Sequence, residues 1–222
     1  PGTTHVHSSA DAVAGDTMGA SAKVAMREKR SMSQAGPRES TALDSGGKTL
    51  SIEALLADLP EPLARFRDLV RTWNARLNLT GAKDERGRGE VLFADAAILA
   101  DEALTPSGAR VVDVGAGAGA PSIPLLLLRS DLRATLIEPQ RKRVAFLRTV
   151  VGTLDLVDRC AILERRLDGP PVEGAPFDVA LSRATFAPLE WLARASTLSD
   201  RAIVMVAADP LPEGALAERR YE

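Results

Sequence analysis

Residues 111–121 read VVDVGAGAGAP, and this stretch decides the fold. A mostly apolar strand leads into a loop with glycine at every second position, Gly115, Gly117 and Gly119. Glycine lets the backbone turn sharply and lets another group approach without a side-chain clash. Pro121 is well suited to begin the helix that follows. The stretch therefore predicts a strand, a tight loop and a helix whose free N–H groups face the loop.

Short apolar strands alternate with amphipathic helices over residues 106–222, which we take as one domain. Because this alternation is typical of a parallel sheet, we expect a doubly wound, mostly parallel α/β fold. Ligands of such a sheet bind outside the carboxyl ends of its strands. Strands are predicted at 110–114, 134–137, 160–164, 179–182 and 202–207, and helices near 121–129, 141–154 and 188–197.

The first half of the chain has a different character. Apolar residues at helical spacing predict a small N-terminal helical unit over residues 49–105, with an exposed loop at 83–90 and a helix at 91–104. Residues 1–48 are rich in Ser, Gly, Ala and Thr and lack sustained hydrophobic periodicity. Such a composition buries too little apolar surface to offset the cost of ordering, so we predict a disordered tail.

Composition narrows the class of protein. The 222 residues are 45% hydrophobic, enough for one sizeable core, and the formal net charge is -2. Contact with nucleic acid therefore needs a local basic patch, for which Arg141, Lys142, Arg143 and Arg148 are candidates. Cys160 is the one cysteine, as suits a reducing cytoplasm, and we read it as a core residue. We expect no membrane contact, no metal and a monomer.

The glycine loop fits two cofactors. Gly115-x-Gly117-x-x-Ala120 satisfies the dinucleotide fingerprint, with Glu138 about 20 residues further on. The same residues satisfy the pattern of acid, apolar residue and Gly-x-Gly-x-Gly found in methyltransferases. Asp113 favours the methyltransferase pattern, because a carboxylate repels the pyrophosphate of a dinucleotide and attracts the amino and sulfonium groups of S-adenosylmethionine. A purely structural tight turn is the third interpretation.

Glu138 follows the next predicted strand and has two interpretations. As a binding residue, its carboxylate would accept hydrogen bonds from both ribose hydroxyls of the cofactor, which is the strong, charge-assisted kind. As a structural residue, it would be a solvated cap of the loop before Pro139.

Five pieces in the right order resemble the RsmG family, also called glucose-inhibited division protein B. These are class I, Rossmann-like methyltransferases that modify guanine N7 in 16S ribosomal RNA. The matching pieces are Trp73-Asn74 with residues 78–80, residues 113–124, residues 142–147, Phe177-Asp178 and residues 182–184. The resemblance implies ribosomal RNA or the small ribosomal subunit as partner. It also implies S-adenosylmethionine contacts at Gly115, Ala120, Leu167, Asp168 and Arg183.

The chain departs from the family at the mouth of the expected site. Leu92-Phe93 and Asp95-Ala96 stand where the family has Arg-His and Asp-Ser, and residues 206–209 lack its Lys-Gly pair. Ser122 replaces a glycine after Pro121. Two alternatives therefore stay open: a methyltransferase acting on another substrate, or a non-catalytic relative that keeps the fold as a binding module. We assign no catalytic residue, because guanine N7 has a lone pair and no proton to lose.

Overall fold

A seven-stranded sheet lies at the centre of the protein, whose computed structural model describes residues 22–28, 56–82, 84–206 and 217–221. The strands lie in the order β4-β3-β2-β5-β6-β1-β7, and the five from β2 to β6 are parallel to one another. This confirms the predicted doubly wound, mostly parallel α/β sheet. In chain order the strands are β1 Ala22–Glu28, β2 Arg110–Val114, β3 Arg133–Ile137, β4 Cys160–Leu163, β5 Val179–Ser182, β6 Arg201–Val206 and β7 Ala217–Tyr221.

Helices connect the parallel strands and form the N-terminal unit. The unit contains one feature that its sequence did not predict, a π-helical turn at Glu90–Ala94 between two short α-helices. The predicted loop at 83–90 is wrong from Glu85 onward, because a helix begins at this residue. Gly89, the last residue of that helix, lets the Leu56 side chain pack against the backbone at a position where a Cβ atom would overlap Leu56. The helices are α1 Glu61–Leu77, α2 Glu85–Gly89, α3 Asp95–Leu99, α4 Ser122–Leu128, α5 Arg141–Thr153 and α6 Pro188–Ala195.

Both faces of the sheet are covered, as the near-continuous apolar strands require. One face, with Val111 and Leu136, packs against α4, α5 and the helical unit. The other face, with Val112 and Val114, packs against α6. The α6 residue Trp191 is buried there, and its indole N–H donates a 2.7 Å hydrogen bond to the carbonyl of Ile203. Adjacent residues of one strand thus belong to two separate cores.

The N-terminal strand corrects one prediction. We expected residues 1–48 to be disordered, but Ala22–Glu28 form β1, which pairs antiparallel with β6 on one side and β7 on the other. Composition missed this strand because its seven residues stand in a polar stretch, although Val24 and Met26 alternate with Lys23 and Arg27. The remainder of residues 1–48 lies outside the described residues.

Candidate functional site

The sheet reverses its strand order between β2 and β5. From β2 the chain adds β3 and β4 on one side, and β5 and β6 then lie on the other side. At such a switch point the connections leave in opposite directions and open a crevice at the carboxyl ends of the strands. The hydroxyl of Ser182 donates a 2.7 Å hydrogen bond to the carbonyl of Val114, which ties the ends of β5 and β2 together. The glycine loop begins at the next residue, Gly115.

All three loop glycines have left-handed backbones, with φ of 80° at Gly115, 55° at Gly117 and 81° at Gly119. A Cβ at Gly115 would overlap Thr185, and one at Gly119 would lie 2.8 Å from Ile123 Cγ1. At Gly117 the nearest atom is the carbonyl oxygen of Gly115, 3.7 Å away. Gly115 and Gly119 are therefore required by internal packing, whereas Gly117 leaves room for a ligand to approach the backbone.

Glu138 lies directly after β3 and joins the loop to the neighbouring strand. Its Oε2 accepts a 2.9 Å hydrogen bond from the backbone N–H of Gly117, and Oε1 accepts one of 2.8 Å from Gln140. The residue is 2% exposed, so the interpretation of Glu138 as a solvated cap is wrong. A carboxylate oxygen has two lone pairs, so each oxygen of Glu138 keeps a second acceptor position.

Asp113, near the end of β2, is buried beneath the loop. Ser122, the first residue of α4, donates a 2.7 Å hydrogen bond to Asp113 Oδ2. Burial raises the pKa of Asp113 to about 7, while the Ser122 hydrogen bond and the charge of Arg183 lower it and the charge of Glu138 raises it. Asp113 thus acts on the crevice through its charge and through the position of the loop.

Arg183 follows β5 and reaches back to the helical unit. Its Nη1 donates to Asp95 Oδ2 at 3.2 Å and to the carbonyl of Val91. The linear pattern does not predict this pairing of Asp95, because its partner is 88 residues away in the chain. Ala120, the last loop residue predicted to contact the cofactor, is 5% exposed and immediately precedes Pro121, which caps α4.

The predicted pair Leu167-Asp168 follows β4 and stands apart from these groups. Leu167 packs against the core on the α6 side of the sheet. Asp168 is exposed and accepts a 2.6 Å hydrogen bond from Arg194 of α6, which holds the pKa of Asp168 below its usual range. Arg194 also lies over the ring of Phe186, 4.9 Å from its centroid. The structure therefore links Asp168 to α6 and, through Arg194, to the loop after β5; among the described residues, no hydrogen bond or ion pair joins Asp168 to the glycine loop.

Two further properties bear on the kind of site. Among the described residues, no group of three or more His, Cys, Asp or Glu side chains could hold a metal ion. Over the same part of the chain, the helices are all too short or too polar to cross a membrane. Cys160 is buried in the main core, as its sequence context predicts.

Solved structures of low sequence identity resemble this chain. One is a SAM-dependent methyltransferase from Thiobacillus denitrificans in complex with S-adenosyl-L-homocysteine, with a TM-score of 0.44 at 16% identity over 60% of this chain and 51% of that one. Another is a putative RNA methyltransferase from Pyrococcus horikoshii, with a TM-score of 0.41 at 18% identity over 61% of this chain and 70% of that one.

The two relatives described next share the name ribosomal RNA small subunit methyltransferase G. The relative from Frankia casuarinae is 39% identical over 58% of this chain and 48% of its own length. The relative from Myxococcus xanthus is 31% identical over 81% of this chain and 83% of its own length. The chain thus spans about half the length of the first relatives that it matches.

A family profile described as rRNA small subunit methyltransferase G, or GidB, matches residues 60–207. The matched residues include helices α1, α2 and α3 of the N-terminal unit, the glycine loop and the strands from β2 to β6. The resemblance found in the sequence is therefore confirmed, and the chain belongs to the rRNA small subunit methyltransferase G family.

Proposed function

We propose that this protein transfers a methyl group from S-adenosylmethionine to N7 of a guanine in small-subunit ribosomal RNA. The observation that carries the proposal is the buried carboxylate of Glu138, which is held beside the open backbone of Gly117 at the switch point of the sheet. The names of the relatives in the same family support the reaction and the RNA substrate.

The residues around the crevice fit this cofactor better than a dinucleotide. Asp113 and Glu138 are two carboxylates close enough for their charges to interact, and both lie under or beside the loop. A pyrophosphate at the loop would meet the carboxylate of Glu138, and above about pH 7 that of Asp113 as well, in a water-poor setting where repulsion is strong. A ligand with an amino group, a sulfonium and a ribose diol instead meets acceptors. We assign the ribose to Glu138 and the close backbone approach to Gly117.

The reaction requires no acid or base catalysis by the side chains. When bound, S-adenosylmethionine supplies an activated methyl group whose carbon–sulfur bond breaks as the guanine N7 lone pair attacks. No proton leaves N7, so the protein needs no general base and acts by aligning the two reactants and excluding water. The loop glycines and Glu138 would fix the donor, and the helical unit that borders Arg183 would shape the acceptor side.

Basic residues of two helices support an RNA-binding face. Helices α1 and α5 run antiparallel, because Arg65 Nη2 donates a 2.9 Å hydrogen bond to the carbonyl of Thr153, and Trp73 lies 5.7 Å from the Phe146 ring. The end of α1 is therefore near the beginning of α5, which follows closely on β3. We call the exposed residues Arg76, Arg141 and Lys142 at this end the basic rim.

Arg141 and Lys142 of the basic rim suit phosphate binding rather than helix stability, whereas Arg76 lies in the last turn of α1, where a cation is favourable. Cations in the first turn of a helix oppose the helix dipole, and α5 has no acidic residue there to offset them. Phosphate groups are the ligands that such exposed Arg and Lys side chains hold in RNA-binding proteins. The rim lies on the ligand edge of the sheet, so RNA bound on it would reach the crevice.

Methylation of small ribosomal subunits that lack the modification tests the proposal. We expect radiolabelled methyl groups to enter the RNA and to map to a guanine N7. Cofactor binding without incorporation would favour a methyltransferase with another substrate. Absence of S-adenosylmethionine binding at millimolar concentration would contradict both enzyme interpretations and leave the binding module.

A pair of variants connects the assay to the site. E138Q keeps the shape of the side chain but replaces one acceptor oxygen with a donor, so S-adenosylhomocysteine should bind about tenfold more weakly or worse. E173Q, at an exposed residue, removes the same charge as a matched control and should bind like the unaltered protein. Equal affinity of both variants would remove Glu138 from the proposed site.

A further inference from the structure

An ion pair between Asp95 and Arg183 joins the helical unit to the sheet. Asp95 is the first residue of α3, and Arg183 is the first residue after β5. The Nη1 atom of Arg183 donates to Asp95 Oδ2 at 3.2 Å and also to the backbone carbonyl of Val91. One nitrogen of the guanidinium is therefore held at two points by the same helical segment.

The pair is secluded from water on the carboxylate side. The side chain of Asp95 is 7% exposed, and that of Arg183 is 25% exposed. Burial raises the pKa of Asp95, and the charge and hydrogen bond of Arg183 lower it. A buried charge that loses its partner is strongly unfavourable. Each member therefore restricts where the other can lie.

The π-helical turn Glu90–Ala94 supplies the second point of attachment. A single π-helical turn within an α-helix is frequent at functional sites. Here the turn includes Val91, whose carbonyl accepts from Arg183, and it ends immediately before Asp95. The turn thus presents a backbone acceptor and a carboxylate to the same guanidinium nitrogen.

The rest of the guanidinium remains available. Both anchoring hydrogen bonds use Nη1, and Nε and Nη2 have no hydrogen-bond acceptor among the residues that the structure describes. A guanidinium has five N–H donors in a fixed fork, so holding one nitrogen sets the direction of the others. Arg183 follows the strand that borders the switch point, and its charge acts on Asp113 across it.

We propose that Asp95 is a positioning residue, which together with the Val91 carbonyl orients the Arg183 guanidinium toward the cofactor in the crevice. This inference rests on the proposed function and on the cofactor contact that the family resemblance implies for Arg183. Asp95 itself does not touch the cofactor. Its effect on binding passes through Arg183.

A double-mutant cycle on S-adenosylhomocysteine binding tests the inference. Dissociation constants are measured by calorimetry for the unaltered protein, D95N, R183A and the double variant. We expect D95N to weaken binding about tenfold when Arg183 is present and to have almost no effect in the R183A background. Equal weakening in both backgrounds would overturn the inference. Failure of the unaltered protein to bind would count against the proposed function instead.

Two controls separate positioning from folding. D68N removes a carboxylate from α1 that is 48% exposed, and it should leave the dissociation constant unchanged. If D95N does not fold, the cycle is repeated with D95E, which keeps the charge and displaces it by one methylene group. Nitrogen-15 spectra of labelled arginine give an independent readout: the Arg183 guanidinium should rotate slowly in the unaltered protein and faster in the Asp95 variant. An unchanged rotation rate would contradict positioning by Asp95.

Discussion

Ser122 donates a 2.7 Å hydrogen bond to Asp113, and both side chains are buried beneath the glycine loop. The hydrogen bond connects the end of β2 to the first residue of α4, so it holds the two ends of the glycine loop together. It also stabilises the ionised form of Asp113, as does the charge of Arg183. Burial opposes both effects and is larger, which leaves the pKa of Asp113 at about 7.

The raised pKa of Asp113 predicts a pH-dependent stability. The folded protein holds the proton of Asp113 more tightly than the unfolded chain, whose ordinary pKa is 3.8. The stabilisation from this group is therefore complete below the unfolded value and is lost as the pH rises to about 7. The shift corresponds to about 4 kcal/mol at most. Urea denaturation of the unaltered protein and D113N between pH 4 and pH 8 measures it.

D113N cannot lose a proton, so its free energy of unfolding should increase relative to the unaltered protein as the pH rises. D158N, at an exposed carboxylate, serves as the control and should keep a constant difference. A constant difference for D113N as well would show that Asp113 is ionised throughout this range.

The glycines at positions 119 and 108 form a matched pair for a second prediction. Both have a left-handed backbone, but a Cβ at Gly119 would lie 2.8 Å from Ile123 and 3.0 Å from Leu147, whereas one at Gly108 would meet nothing within 4 Å. G108A should cost about 1 kcal/mol of stability from backbone strain alone. G119A should cost a further ~1–3 kcal/mol from overpacking. Equal losses in denaturant titrations would mean that α4 and α5 move apart readily.

The basic rim predicts a change in the salt dependence of RNA binding. The double variant R141Q/K142Q should weaken binding and reduce the slope of log affinity against log salt by about 1 to 2, because fewer counterions are released. R133Q, at the opposite end of β3, changes the charge of another exposed arginine and should leave the slope unaltered. A slope that R141Q/K142Q leaves unchanged would exclude the rim as the phosphate contact.

We expect the thiol of Cys160 to be unreactive in the folded protein. It begins β4 in the main core, and burial raises its pKa to about 12. Since the thiolate is the reactive form, iodoacetamide should not label the native protein at pH 8 within hours and should label it quickly in urea. Rapid labelling without urea would indicate that β4, at the edge of the sheet, opens frequently.

The five parallel strands were predictable because their signal is local, whereas β1 and β7 were not predicted. β2 and β5 begin and end at the predicted residues, β3 and β4 differ by one residue at one end, and β6 is shifted by one residue at both ends. The packing of Gly119 and the buried state of Glu138 depend on contacts between neighbouring elements, which a linear pattern does not contain.

The role of Asp95 was not predictable for a related reason. It is an acidic residue in a helix, and such residues are usually solvated. Only the fold brings Arg183 to it from 88 residues away. The hydrogen bond between Ser122 and Asp113 was easier to predict, because these residues are only nine positions apart in the chain. Ser122 also replaces the family's glycine, and a hydroxyl group at this position requires a hydrogen-bond partner when buried.

The place of β1 in the sheet has a consequence for synthesis on the ribosome. β1 pairs with Arg201–Val206 and Ala217–Tyr221, which are made almost two hundred residues later. An N-terminal strand of this kind emerges early and finds no partner while the rest of the domain is translated. Contacts so distant in sequence form slowly and leave strand edges exposed meanwhile. The entry of β1 between β6 and β7 is therefore expected to be the last step in the formation of the sheet.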